Sequence, residues 1–384
     1  MGWIVGSAHI AVAAVGVVGC DDPQAPPFTA ADLAVDGPYV YVEPSGGWTV
    51  KRIVKIDAEL QPLVEKFSAD TPALSVPIPK TAATAATTRA AATPATFLVQ
   101  LRGPATAPDA VLPAVEKIFV VSDIEGEWAA LVKLLVAGKV IDETFAWTFG
   151  KGHVVFLGDL FDRGAHVVEC LWLLYELEAK ARAAGGAVHF ILGNHEVMNL
   201  VGDFRYVVPK YPATASLLGE SLAGLHDRRT VLGQWLRTRN AMLKIGDELF
   251  VHGGVAPAVA AAKTTPAALN DALRKALAAE VFGAPPLDPL LTLAAGYPDG
   301  LIWYRGYLNA PVLPVAEIDA VLAAFSVQRV VIGHTVVNEI GLHHGGRVLA
   351  IDVRHAHGTS QAALRDGDGW FRLLASGERV ALKP

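Results

Sequence analysis

Cysteine is nearly absent from the chain, with two in 384 residues, Cys20 and Cys170. One potential pair cannot staple a loop-rich fold, so no disulfide framework is implied and the fold has to rest on a buried core. Charge is also sparse, at 18% of residues against 52% hydrophobic, and the formal net charge is −6. Lysine and arginine are scattered, which leaves no basic footprint for nucleic acid. Nothing repeats at a solenoid period. What these absences leave is a globular chain with a thick core, long enough for one large domain and a smaller attachment.

The first twenty residues contain no Asp, Glu, Lys or Arg. Residues 10–20, IAVAAVGVVGC, form an apolar run that stops at small residues ahead of polar DDPQAPP. That run is shorter than the roughly 20 residues a membrane span needs. Its ending, Val17-Val18-Gly19-Cys20, resembles the lipobox of bacterial lipoprotein signals. The resemblance implies a signal segment over 1–20, cleavage, a lipid on Cys20 and residence at the periplasmic face of the cell envelope. The preceding MGWIVGSAH lacks the usual Lys or Arg of such signals, and the other reading is a buried first element of a cytoplasmic protein. Cys170, within apolar VVECLWLLYEL, reads as a small core residue.

Residues 21–34 are rich in Pro and Ala and read as a tether. The stretch DGPYVYVEPSGGWTVKRIVKID, 36–57, alternates apolar and polar residues on both sides of PSGG, the pattern of a hairpin. TFLVQL at 96–101 reads as a third strand, and the Ala, Thr and Pro of 68–110 as a linker. Residues 21–115 are therefore expected to be a tether, a small, mostly β appendage and a linker, ahead of a larger domain over 116–384.

Chemistry concentrates in VVSDIEGE (120–127), VVFLGDLFDRG (154–164) and HFILGNHEVMNL (189–200). In each, an apolar, β-branched run that reads as a buried parallel strand stops at a cluster of Asp, Asn, His or Glu. Open α/β sheets put their chemistry at such strand ends. Asp123 to Asp159 and Asp159 to His195 are each 36 residues apart, a spacing that suits two strand–helix–strand crossovers. DELFVHGGV (247–255) and QRVVIGHTVV (328–337) end the same way and deliver His252 and His334. Carboxylates, an amide and imidazoles from five strand ends form a ligand set for a pair of divalent ions.

The set DxE, GDLFDRG, GNHE, HGG and GHT is similar to the calcineurin-like metallophosphoesterases, and among them to the phosphoprotein phosphatases. GNHEVMNLVGDFRYV (193–207) and WYRGY (303–307) resemble the Shewanella-like protein phosphatases. The resemblance spans about residues 116–353. It implies an α/β sandwich and hydrolysis of a phosphorylated protein or small phosphate ester by water activated between two ions. It implies Asp123 and Glu125 on the first ion, Asp159 as the bridge, and Asn194, His252 and His334 on the second. His195, paired with Asp162, would protonate the leaving oxygen. Arg163 and Arg305 would hold the phosphoryl group, with Glu196 and Tyr307 in support. The family pattern at the first motif is DxH, whereas this chain has Asp123-Ile124-Glu125. A third carboxylate favours hard Mn²⁺, or Mg²⁺, over Zn²⁺ or iron. The alternatives are a nucleotide or dinucleoside polyphosphate hydrolase, and a lipid-anchored pseudophosphatase whose first site has weakened. His343, His344, His355 and His357 read as solvated loop residues.

Overall fold

The computed structural model describes residues 35–57, 59–70, 73–79, 95–279 and 288–383. The signal-like segment with Cys20, the tether 21–34 and most of the Ala/Thr/Pro-rich stretch lie outside the described residues.

Strands β1 (Asp36–Val42), β2 (Trp48–Ile56) and β3 (Glu59–Phe67) make an antiparallel sheet. The turn between β1 and β2 is the expected hairpin. β3, ELQPLVEKF, gives little strand signal because its charges and Pro62 break the alternation. It is an edge strand, where a missing N–H costs no ladder bond. β4 (Leu74–Pro77) pairs with β5 (Thr96–Val99), so TFLVQL joins β4 rather than the hairpin. β6 (Val111–Leu112) then enters a second sheet.

The remainder begins with β7 (Lys117–Val121), helix α1 (Trp128–Ala137), β8 (His153–Phe156), α2 (Val167–Ala183) and β9 (Ala187–Phe190). Helices α3 (Asn194–Val201), α4 (Lys210–Leu217) and α5 (Val231–Leu236) follow. Next come β10 (Met242–Ile245), β11 (Glu248–Val251), α6 (Pro257–Ala261), α7 (Pro266–Ala279), α8 (Pro289–Ala295) and α9 (Val315–Phe325). The chain closes with β12 (Arg329–Ile332), β13 (Gly341–His343), β14 (Val348–Ala350), β15 (Gln361–Asp366), β16 (Gly369–Leu374) and β17 (Arg379–Ala381).

Two six-stranded sheets result, in the orders β13-β14-β12-β11-β10-β6 and β17-β16-β15-β7-β8-β9. β7, β8 and β9 run parallel in one, and β11, β12 and β14 run parallel in the other. Side chains alternate across a strand. Ile118 and Val120 therefore join Phe250, Val331 and Leu349 in the core between the sheets, while Phe119 and Val121 join the core under the helices. Both faces are buried, which is why these strands read as continuous apolar runs. α1 buries Trp128, Leu131, Leu134 and Leu135 at helical spacing. No helix among the described residues is long and apolar enough to cross a membrane.

The N-terminal strands share the larger core. Tyr39, Val40, Val50 and Ile53 are buried in the same cluster as α2, and Phe97 stacks on Trp128. Trp172 in α2 is fully buried and donates its indole N–H to the Pro38 carbonyl at 2.8 Å. That contact yields a test. Trp172→Phe leaves the buried carbonyl without its donor and should cost about 1–3 kcal/mol, and Trp172→Ala about 3–5 kcal/mol through the cavity it opens. Urea unfolding measures both. Equal stability of all three proteins would show that β1 contributes nothing to the α2 core.

Candidate active site

The expected site residues lie beyond the carboxyl ends of strands, except Arg305, which lies in the connection between α8 and α9. Asp123 follows β7, Asp159 follows β8, Asn194 and His195 follow β9, His252 follows β11 and His334 follows β12. The backbone at these ends turns sharply. Asp123, Glu125, Asp159, Asp162, Arg163 and His334 all have positive φ, between 48° and 70°. Non-glycine residues rarely adopt this conformation, and where they do the surrounding structure has to over-determine it. Glycines leave the room: a Cβ on Gly193 would lie 2.1 Å from Asp159 Oδ1, and one on Gly333 would meet the Ser122 hydroxyl at 2.0 Å.

The centre is rich in acceptors. His252 Nδ1 lies 2.7 Å from the Leu157 carbonyl, so Nδ1 carries the proton and the lone pair of a neutral ring sits on Nε2. Nε2 in turn lies 3.1 Å from Asn194 Oδ1 and 3.1 Å from Asp159 Oδ2. His334 Nε2 lies 3.1 Å from the Trp303 carbonyl, which places that ring's lone pair on Nδ1. Ligand atoms of Asp159, His252 and His334 all fall within 4.8 Å of one another. Asp159 Oδ2, Asn194 Oδ1 and His252 Nε2 thus converge as acceptors unless His252 takes a second proton. Burial opposes that proton, but the Asp159 and Asp123 carboxylates outweigh it and hold the His252 pKa up to about 10. Burial pushes Asp159 up as well, and the facing His252 and His195 bring it down well below the usual carboxylate range. Burial, reinforced by His252, pushes His334 well below its ordinary value. The oxygen and imidazole donors therefore fit a divalent cation.

Asp123 flanks this centre. Its Oδ2 accepts the His334 backbone N–H at 3.1 Å and the Ser122 hydroxyl. Burial pushes its carboxyl up, with Asp159 adding to the effect. On the other side, Glu125, Asp159 and His195 form a second group within 4.8 Å, and the Glu125 carboxylate pairs with the Arg163 guanidinium. His195 donates from Nδ1 to Asp162 Oδ2 at 2.6 Å, and Asn199 fixes the other Asp162 oxygen at 2.9 Å. His195 Nε2 is left 3.8 Å from Asp159 Oδ2. Arg305 donates to the His334 carbonyl and lies 3.3 Å from His334 Nδ1.

Glu196 is fully buried and its carboxylate accepts the backbone N–H groups of Asp159, Leu160, Phe161 and Gly193 at 2.7–3.2 Å. It therefore sets the Asp159 loop against the Asn194 loop. Tyr307 is buried and donates to the Val255 carbonyl behind the His252 loop at 3.0 Å. Three features were not expected. Asp352, beyond β14, is a sixth strand-end residue, buried and pushed well above the carboxylate range by burial and by Asp123. Tyr206 packs its ring 5.0 Å from that of His195 and 5.3 Å from the Arg163 guanidinium. His355 corrects the reading of solvated loop histidines, because it is buried and donates to the Ser122 carbonyl at 3.1 Å. His344 likewise bonds the Tyr307 carbonyl, at 2.7 Å.

The model of the calcineurin-like phosphoesterase family matches residues 116–338. Shewanella-like protein phosphatase 2 of Arabidopsis thaliana is 37% identical over 95 residues, 25% of this chain and 24% of that protein. Shewanella-like protein phosphatase 1 of Plasmodium berghei is 31% identical over 142 residues, 36% of this chain and 39% of that protein. The chain thus spans less than half the length of these two relatives. The crystal structure of a cold-active protein-tyrosine phosphatase from a psychrophile Shewanella sp. superimposes with a TM-score of 0.78 at 32% identity, covering 91% of this chain and 99% of that one.

The packing at Gly193 supplies a prediction. Gly193→Ala should force the Asp159 carboxylate from its place and reduce the divalent metal bound per chain, with the thermal midpoint falling by only a few degrees, as expected for about 1–2 kcal/mol of local strain. Metal analysis beside calorimetry reads this. Full metal content in the folded variant would show that Asp159 is not held at a metal centre.

Proposed function

The chain belongs to the calcineurin-like phosphoesterase family, a class of metal-dependent phosphoester hydrolases, and from that premise we propose that it hydrolyses phosphate monoesters in the manner of its protein-phosphatase relatives. The observation that carries this reading is the set of lone pairs around Asp159 Oδ2, His252 Nε2 and Asn194 Oδ1, with a histidine–carboxylate pair beside it. Asp123, Glu125, Asp159, Asn194, His252 and His334 are the residues that would hold two divalent ions. When bound, such ions supply Lewis acidity and a water activated near neutral pH.

The remaining work falls to side chains. Arg163 and Arg305 offer guanidinium forks matched to phosphoryl oxygens. Asp162 fixes the tautomer and orientation of His195, so a proton on Nε2 is aimed away from Asp162 and toward a leaving oxygen. Three carboxylates on the first ion favour Mn²⁺ or Mg²⁺. The preferred substrate class is a phosphorylated protein side chain, as the names of the relatives suggest.

His195→Asn should lower turnover by about 10²–10⁴-fold with metal content unchanged, and the loss should shrink for aryl phosphates, whose leaving group needs no proton. Loss of metal from this variant would make His195 a ligand and reject the acid role. The N-terminal pattern supports a lipid on Cys20 and an envelope location. Mass spectrometry of the membrane fraction should find a diacylglyceryl-modified Cys20 terminus, and an intact Met1 in a soluble pool would contradict it.

A further inference from the structure

Lys210 is fully buried, and its counter-ion is Asp36 at the start of β1, also buried, at 2.8 Å. The Lys210 ammonium donates to the Ala165 carbonyl at 2.5 Å, and Tyr39 donates to the second Asp36 oxygen at 2.9 Å. Next along the chain, Tyr211 accepts the Val167 backbone N–H at 2.9 Å. Four residues before Lys210, the Tyr206 carbonyl accepts the Arg163 N–H at 3.3 Å. The segment 206–211 therefore grips the loop 163–167 at three backbone points, and Asp36 neutralises the charge in the middle of the grip. The same sheet holds the far side of this cap. Val42 N–H donates to the Arg229 carbonyl at 2.7 Å, and Lys51 pairs with Glu220 at 2.5 Å.

A buried ion pair is weak evidence for stability, since an apolar pair of similar volume is often as stable or more so. What an apolar pair cannot supply is the directional bond to Ala165, two residues from Arg163. We propose that Asp36 and Lys210 are a positioning pair through which the N-terminal sheet sets the place of Arg163 for the phosphoryl group. The inference rests on the phosphate-holding reading of Arg163. It gives the N-terminal strands a part in substrate binding, and because Arg163 also pairs with Glu125, metal content is read beside phosphate affinity.

The test uses the full chain loaded with Mn²⁺, with inorganic phosphate as a competitive inhibitor and a small aryl phosphate as substrate. The variants are Asp36→Leu/Lys210→Met, Asp36→Asn and Arg163→Ala. The double variant should keep its thermal midpoint within a few degrees and its full metal content. Its phosphate inhibition constant should rise about tenfold, with KM rising more than kcat falls, because small misplacements of a binding group are costly. Asp36→Asn keeps the volume and the Tyr39 bond. It should move phosphate affinity in the same direction and reports the outcome if the double variant does not fold. A folded pair variant with wild-type phosphate affinity overturns the proposal, provided Arg163→Ala weakens phosphate. Wild-type affinity in Arg163→Ala instead overturns the reading of Arg163 on which it rests.

Discussion

The arrangement around Asp159 is dominated by an electrostatic deficit. Oxygen and nitrogen lone pairs from Asp159, Asn194, His252 and His334 face one another in a buried pocket, where unpaired polar groups are expensive. Protonating His252 relieves part of the deficit with one charge, which the Asp159 and Asp123 carboxylates favour against the opposition of burial. A divalent cation relieves it with two and takes lone pairs from Asp159, Asn194 and His252 together. The rest of the domain serves to keep these acceptors aimed at each other.

That aim is expensive in backbone terms. Six residues of the site sit in left-handed conformations, each worth on the order of 1–3 kcal/mol when the side chain is not glycine. Rigid strands on either side of a shared core fix where each turn begins, and Glu196 ties two of the turns together through four backbone donors. His355 braces the Ser122 carbonyl immediately before Asp123. The loop after Asp162 is held by the Gly126 carbonyl, by the 206–211 segment and, through Lys210, by β1.

Much of this was legible from sequence because buried parallel strands leave an unmistakable pattern. β-branched runs that stop at Asp, Asn or His announced five strand ends, and the structure adds only the sixth, at Asp352. That residue escaped notice because β14 is three residues long and the Asp is followed by apolar Val353. His355 was misread because its burial depends on Ser122, far away in the chain. The role of Tyr206 and Lys210 was hidden for the same reason, since a loop segment carries no periodicity to show which face it presents. The Ala, Thr and Pro composition suggested a linker behind a small, mostly β appendage. Yet Val76, Phe97 and Val99 are buried in the main core, because short strands contribute apolar side chains without a long alternating run.

The account stands on the claim that two divalent ions share Asp159. Anomalous diffraction at the manganese edge, from crystals of the Mn²⁺-loaded protein, tests it directly. The prediction is two peaks flanking the Asp159 carboxylate, one contacted by Asp123 and Glu125 and the other by Asn194, His252 and His334. A single peak, a peak that Asp159 does not contact, or none at saturating Mn²⁺ would contradict it.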